Sequence, residues 1–222
     1  MKVKDKSINS IAKTCIDLVF RSDTITPGFV HLDFGKNLTS LAFRSIMVDL
    51  KNELSKFTLK TYHKPLTYHW LVRFNQQVNT PFHLDNAKDT SFLMLGYEPS
   101  KVESELYLAD YAKYIAESKD HLKGDIDKII PVFKNDISLL SPYISKVKSF
   151  TKENYSIVLI NNSSLKSHLN MLGVLHKVTI PKQDLTKSRI VNSMIINLLS
   201  TGESNENEPN EKDFLNTSII SE

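Results

Sequence analysis

A single cysteine, Cys15, stands in 222 residues. No intrachain disulfide can form, so burial must hold the fold, and a reducing compartment is the default expectation. Long hydrophobic runs are missing too. Ile157-Val158-Leu159-Ile160 is typical of the longest, far short of the ~20 apolar residues that span a bilayer. Met1-Lys2-Val3-Lys4-Asp5-Lys6 is charged, and no apolar core of a secretion signal follows it. These absences lead us to expect a soluble, cytoplasmic protein with no membrane association. Arginine is scarce, with only Arg21, Arg44, Arg73 and Arg189. In a chain that otherwise uses lysine, an arginine marks a need for a planar, bidentate donor.

The net charge of +3 is unevenly spread. From Thr201 onward six acids face one lysine, which leaves the body at +8. Such a body could favour an anionic ligand. No Lys/Arg cluster with interleaved aromatics accompanies it, so the surface reads as solvated lysine and nucleic acid is not expected as a partner. The length fits one domain, residues 1–200, followed by a disordered acidic tail, 201–222.

Apolar spacing predicts a helix over 7–20, through Ile8, Ile11, Ala12, Cys15 and Val19, and another over 41–54. Strands are expected at 29–34, 67–74, 83–85, 91–95, 155–160, 174–180 and 189–199. Ser100 and Glu103 fit a capping box, which predicts a helical insert around 99–120. Residues 120–150 are mixed and broken by Pro131 and Pro142. Short strands, helices at the front and one helical insert suggest a mainly β, α+β fold: a jelly-roll barrel, or double-stranded β-helix, with added helices.

The candidate site starts at Pro81-Phe82-His83-Leu84-Asp85. In an extended segment, alternation throws His83 and Asp85 onto one face. An imidazole beside a carboxylate is two-thirds of a facial metal triad, and His176 is the best third member. Two His and one carboxylate leave three positions open, the arrangement of non-haem Fe(II) oxygenases. His168, in a polar loop over 161–170, is the rival to His176. A second H-x-D, His31 and Asp33, is the rival to His83 and Asp85. Gly173 would relieve crowding ahead of His176.

Thirteen residues after His176 comes Arg189. The ordered set of His83-x-Asp85, His176 and Arg189 resembles the Fe(II)/2-oxoglutarate-dependent oxygenase superfamily, over roughly residues 67–199. The resemblance implies a dioxygenase that uses O2 and 2-oxoglutarate to hydroxylate, or otherwise oxidise, a small-molecule or peptide substrate. It implies Fe(II) held by His83, Asp85 and His176, with Arg189 gripping the distal carboxylate of 2-oxoglutarate, helped by Ser193 and Asn75. Lys187 shares the parity of Arg189 and is its alternative. Arg73 precedes the triad on a strand and joins Tyr107 and Tyr111 of the insert as a substrate-contact candidate. The presence of Asp85 favours hydroxylation over halogenation, because halogenating relatives lack that carboxylate. The competing expectation is a cupin-like metalloprotein, an isomerase, lyase or binding module, that takes no 2-oxoglutarate.

Overall fold

The structure, a computed structural model, describes residues 1–3, 6–118, 131–147, 150, 152–199 and 207–221. Two helices lead. In α1 (Ile8–Val19) the Ser7 hydroxyl caps the first turn by accepting from the Ser10 amide, and Ile11, Ala12, Cys15 and Val19 are buried as their spacing predicts. Thr39 caps α2 (Ser40–Tyr62) in the same way. This helix outruns the expected 41–54. It continues far enough to bury Thr58, and it stops at His63, a left-handed residue with φ 58° just ahead of Lys64 and Pro65.

Eight strands form two antiparallel sheets, giving a mixed α+β architecture. They are β1 (Phe29–Gly35), β2 (Leu66–Asn75), β3 (Ser91–Tyr97), β4 (Glu105–Ala109), β5 (Ile144–Lys146), β6 (Tyr155–Asn161), β7 (Leu175–Thr179) and β8 (Ile190–Leu198). The larger sheet has the order β1-β6-β3-β8-β2 and the smaller β5-β4-β7. Both faces of β3 and β6 are covered, so these strands are buried throughout and show no polar alternation. Phe92, Met94, Ile157 and Leu159 join the core beneath α1 and α2. Leu93, Leu95, Val158 and Ile160 belong to a second core, shared with Leu106, Leu108 and Val178 of the smaller sheet. β8 is covered on both faces too, and at ~1.5–3 kcal/mol for each large apolar side chain taken out of water, this double coverage makes β6, β3 and β8 the main stabilising strands.

A bulge in β2 sets up the site. Register with β8 shifts between Tyr68 and Trp70. Leu66 and Tyr68 pack into the helix-side core, whereas Trp70, Val72 and Phe74 beyond the bulge turn to the opposite face. One extra residue exchanges the two faces of the strand.

Two expectations are corrected, and a third segment lies partly outside the described residues. The helical insert over 99–120 is instead β4 followed by α3 (Tyr111–Glu117), residues 119 and 120 lying outside the described set. Leu106 and Leu108 alternate with half-buried Glu105 and Tyr107, so the period is two. The helix begins only where Asp110 caps it through the Lys113 amide. Ser100 caps a mere turn, accepting from the Val102 amide. The mixed segment 120–150 is described only at 131–147 and 150, where a 3-10 turn spans Ile137–Tyr143.

The second correction concerns the acidic tail, of which 201–206 and 222 lie outside the described residues. Residues 207–221 are ordered against the body. α4 (Glu211–Asn216) buries Phe214, Glu208 accepts from the Tyr68 amide and Glu211 from the Tyr68 hydroxyl. Ser221 then pairs with the edge of β2, accepting from the Asn75 amide and donating to the Arg73 carbonyl. Polar composition suggested disorder, but these acids have donors waiting on β2 and one aromatic anchors the segment.

Candidate metal centre

His83 lies on no regular strand, contrary to expectation, but on an isolated bridge to β7. The His83 amide donates to the His176 carbonyl at 3.0 Å, and the His176 amide returns a bond to the His83 carbonyl at 2.9 Å. Residues that exchange both bonds stand directly opposite one another and project their side chains to the same side. The two imidazole centroids are 4.1 Å apart. Asp85, two residues on, brings its carboxylate between them, Oδ1 3.6 Å from His83 Nε2 and Oδ2 3.8 Å from His176 Nε2. All three offer ligand atoms within 4.8 Å of one another, and no other group of this kind occurs among the described residues. Metal bonds of ~2.1 Å need donors no more than ~4.2 Å apart, which the 3.6 and 3.8 Å separations from Asp85 to the two imidazoles satisfy. His83, Asp85 and His176 thus form a group that could hold a metal ion.

The surroundings prepare each donor. The Pro81 carbonyl lies 2.9 Å from His83 Nδ1. A carbonyl only accepts, so Nδ1 carries a proton, and in the neutral ring the lone pair lies on Nε2, which faces Asp85. Burial pushes the His176 pKa down to about 4, overriding the pull of Asp85, so this ring is neutral near pH 7. Burial also acts to lower His83, but Asp85 and the Pro81 carbonyl outweigh it and raise its pKa. Burial works against the Asp85 carboxylate, yet the two imidazoles hold its pKa below the usual value. The His176 Nδ1 atom is buried with no hydrogen-bond partner. Gly173, before β7, is required by packing, since a Cβ there would overlap the Ser163 carbonyl oxygen.

Sequence reasoning missed Asn162. Its Oδ1 accepts from the Asp85 amide at 2.9 Å, while its Nδ2 donates to the Asp85 carbonyl at 3.2 Å and to Ser91 Oγ at 2.9 Å. One side chain therefore fixes both backbone polar groups of the carboxylate ligand. The segment 161–170 reads as a polar loop, yet Asn161, Asn162 and Ser163 are buried. Three consecutive small polar residues directly after an apolar strand were the available signal.

The triad opens on a cavity of ≈ 770 Å³. Val72, Phe74, Leu93, Leu95, Val178 and Ile195 give it apolar walls, and Asn75, Gln76, Thr80, Asn86 and Ser193 supply polar points. Trp70, 49% exposed, stands in its wall, and Ser221 contributes from the C-terminal segment. No lysine or arginine lines it among the described residues.

Ser193 and Asn75 are therefore at the cavity, and the other expected contacts are not. The Arg189 side chain is buried elsewhere, donating to Ser104 Oγ and the Glu98 carbonyl. Lys187 is at the surface, paired with Asp184 at 2.7 Å. The bulge in β2 turns Arg73 to the helix side, where it binds Glu98 at 3.1 Å, Asn192 and the Thr217 carbonyl. Tyr107 donates to Glu105, and Tyr111 is buried with its hydroxyl on the Ser163 carbonyl. His31 packs edge-on to Phe150 and Asp33 accepts from the Gly35 amide, and no third ligand stands beside them among the described residues. His168 lies 3.5 Å from Thr90 Oγ1, away from the triad. Compared with known proteins, the chain matches no protein-family model and no curated protein.

Proposed function

We propose that this protein is a jelly-roll oxygenase with one Fe(II) held by His83, Asp85 and His176, using 2-oxoglutarate and O2 to oxidise a largely apolar substrate. The observation that carries the reading is the convergence of two imidazoles and one carboxylate on the wall of a ≈ 770 Å³ cavity. That donor set leaves coordination positions open. Strand order supports the barrel. The chain alternates between the sheets from β3 to β4 and from β6 through β7 to β8, and the 80–84 segment extends the smaller sheet beside β7.

When bound, iron would supply redox activation of O2. The residues of the chain do the rest. The proton on His83 Nδ1 stays with the Pro81 carbonyl, and His176 needs no deprotonation to ligate. Asp85 stays ionised, and Asn162 holds its backbone. Apolar walls exclude water and orient substrate by shape, while Ser193 and Asn75 offer a hydroxyl and an amide to bound oxygens.

One observation favours the cupin-like alternative. Arg189, the expected clamp for 2-oxoglutarate, does not line this cavity. Anaerobic titration of the metal-free protein with Fe(II) and 2-oxoglutarate separates the two. A weak visible charge-transfer band, lost in Asp85→Ala, supports the oxygenase. Iron binding with no band assigns the cupin-like role, and no iron binding refutes both.

A further inference from the structure

Arg189 is 2% exposed, and its guanidinium lies beside the stacked rings of Tyr97 and Phe150, 4.8 and 5.1 Å from their centroids. Nε donates to Ser104 Oγ at 2.9 Å and Nη1 to the Glu98 carbonyl at 3.0 Å, while Nη2 is buried with no partner. Among the described residues no carboxylate pairs with it. The Glu98 carboxylate is taken by Arg73, Ser40 and Asn192. Glu103 pairs with Lys152 at 3.2 Å, and Glu105 with Lys146 at 2.6 Å. Each of these three acids has its own cation, and among the described residues Arg189 is left over.

A buried guanidinium without a counter-charge is costly, and two aromatic rings offset only part of that cost. The side chain borders a second cavity, ≈ 400 Å³, lined also by Ser100, Ser104 and Lys152 and by Glu103 and Glu105, whose carboxylates are held by Lys152 and Lys146. This cavity shares no lining residue with the one at the triad. Pro181, in its wall, lies five residues along the chain from His176, ~16 Å at strand rise.

We propose that this second cavity is a binding site for a small organic anion, a carboxylate or phosphate monoester, that completes Arg189 and is separate from the metal centre. Ser104 Oγ and the free Nη2 supply donors, and Arg189 is the one cation of the lining without a carboxylate partner among the described residues. At ≈ 400 Å³ the cavity is larger than inorganic phosphate requires, so the anion carries a small organic body. The free Nη2 favours oxygens that can take a charge-assisted hydrogen bond.

The test titrates the full-length protein with inorganic phosphate and with malonate, followed by amide chemical shifts, in parallel with Co(II) titration of the metal centre. Saturable binding is expected, weakened ~10- to 100-fold in Arg189→Met. Ser104→Ala and Lys152→Glu guard against misfolding of the arginine variant. Both should weaken anion binding while leaving Co(II) affinity unchanged. Three results would overturn the proposal: no saturable binding of either anion, binding that survives Arg189→Met, or anion binding abolished by His83→Ala. The last would place the anion in the metal cavity. Failure to bind Co(II) alone would refute the metal reading and leave the anion site standing.

Discussion

Replacing Asn162 with alanine isolates what the chain contributes to the metal centre beyond the ligands themselves. The substitution removes three hydrogen bonds, two to the Asp85 backbone and one to Ser91 Oγ. At ~0.5–1.5 kcal/mol net for each, with a further penalty where a buried group is left unpaired, the cost is about 2–4 kcal/mol of stability. The effect on metal should be separable. Asp85 sits two residues past the last residue bridged to β7, so without Asn162 only its neighbours hold its carboxylate between the imidazoles. Loss of such an orienting contact costs ~10- to 100-fold in metal affinity. Co(II) titration in buffer, beside urea denaturation of the metal-free protein, measures both quantities. Asn162→Asp retains an acceptor for the Asp85 amide but loses the donor to its carbonyl, so its metal affinity should fall between alanine and wild type. A folded Asn162→Ala protein with wild-type metal affinity would refute the reasoning.

Three further outcomes follow from the same geometry. Gly173→Ala should weaken metal binding and stability together, because the Ser163 carbonyl must move and β7 begins two residues later; unchanged urea midpoints would contradict this. His176 is held neutral in the fold with a pKa of about 4, while the unfolded ring takes a proton below ~6.5. Stability of the metal-free protein should therefore fall from pH 6.5 toward pH 4, by at most about 3 kcal/mol, with His176→Gln flattening the slope. His83, whose pKa is raised in the fold, acts with the opposite sign and offsets part of the slope near pH 6.5. Phe214→Ala should cost about 3–5 kcal/mol, since the ring is 3% exposed against α2 with Arg44 over it at 5.9 Å. A cost below ~1 kcal/mol would mean that α4 does not stabilise the body.

The metal group was legible because its information is local. His83-x-Asp85 carries a two-residue period, and His176 stands in an apolar strand behind a glycine that packing requires. Arg189 misled for a physical reason. Spacing along β8 gives the parity of a side chain but not the end of the strand toward which it leans, and the aromatic pair Tyr97 and Phe150 captures it. Arg73 was misassigned because the bulge at His69 reverses β2, and one inserted residue leaves no mark in composition. The insert was mistaken for a helix because Leu106, Ala109 and Ile115 satisfy a helical spacing. The alternation of Leu106 and Leu108 then won, through pairing with β7. Asn162 escaped because a buried amide that clamps a backbone looks, in sequence, like any loop asparagine.

The hydrogen-bonded pairing of His83 with His176 has a consequence for how the protein is made. The partners are about 90 residues apart, and at ~5–20 residues per second a ribosome needs roughly 5–20 s to pass from one to the other. Through that interval the His83 and Asp85 half waits as two weak donors on an unclosed loop. An ion that needs all three side chains could be held only once β7 has paired alongside, so its uptake would follow that pairing rather than start it.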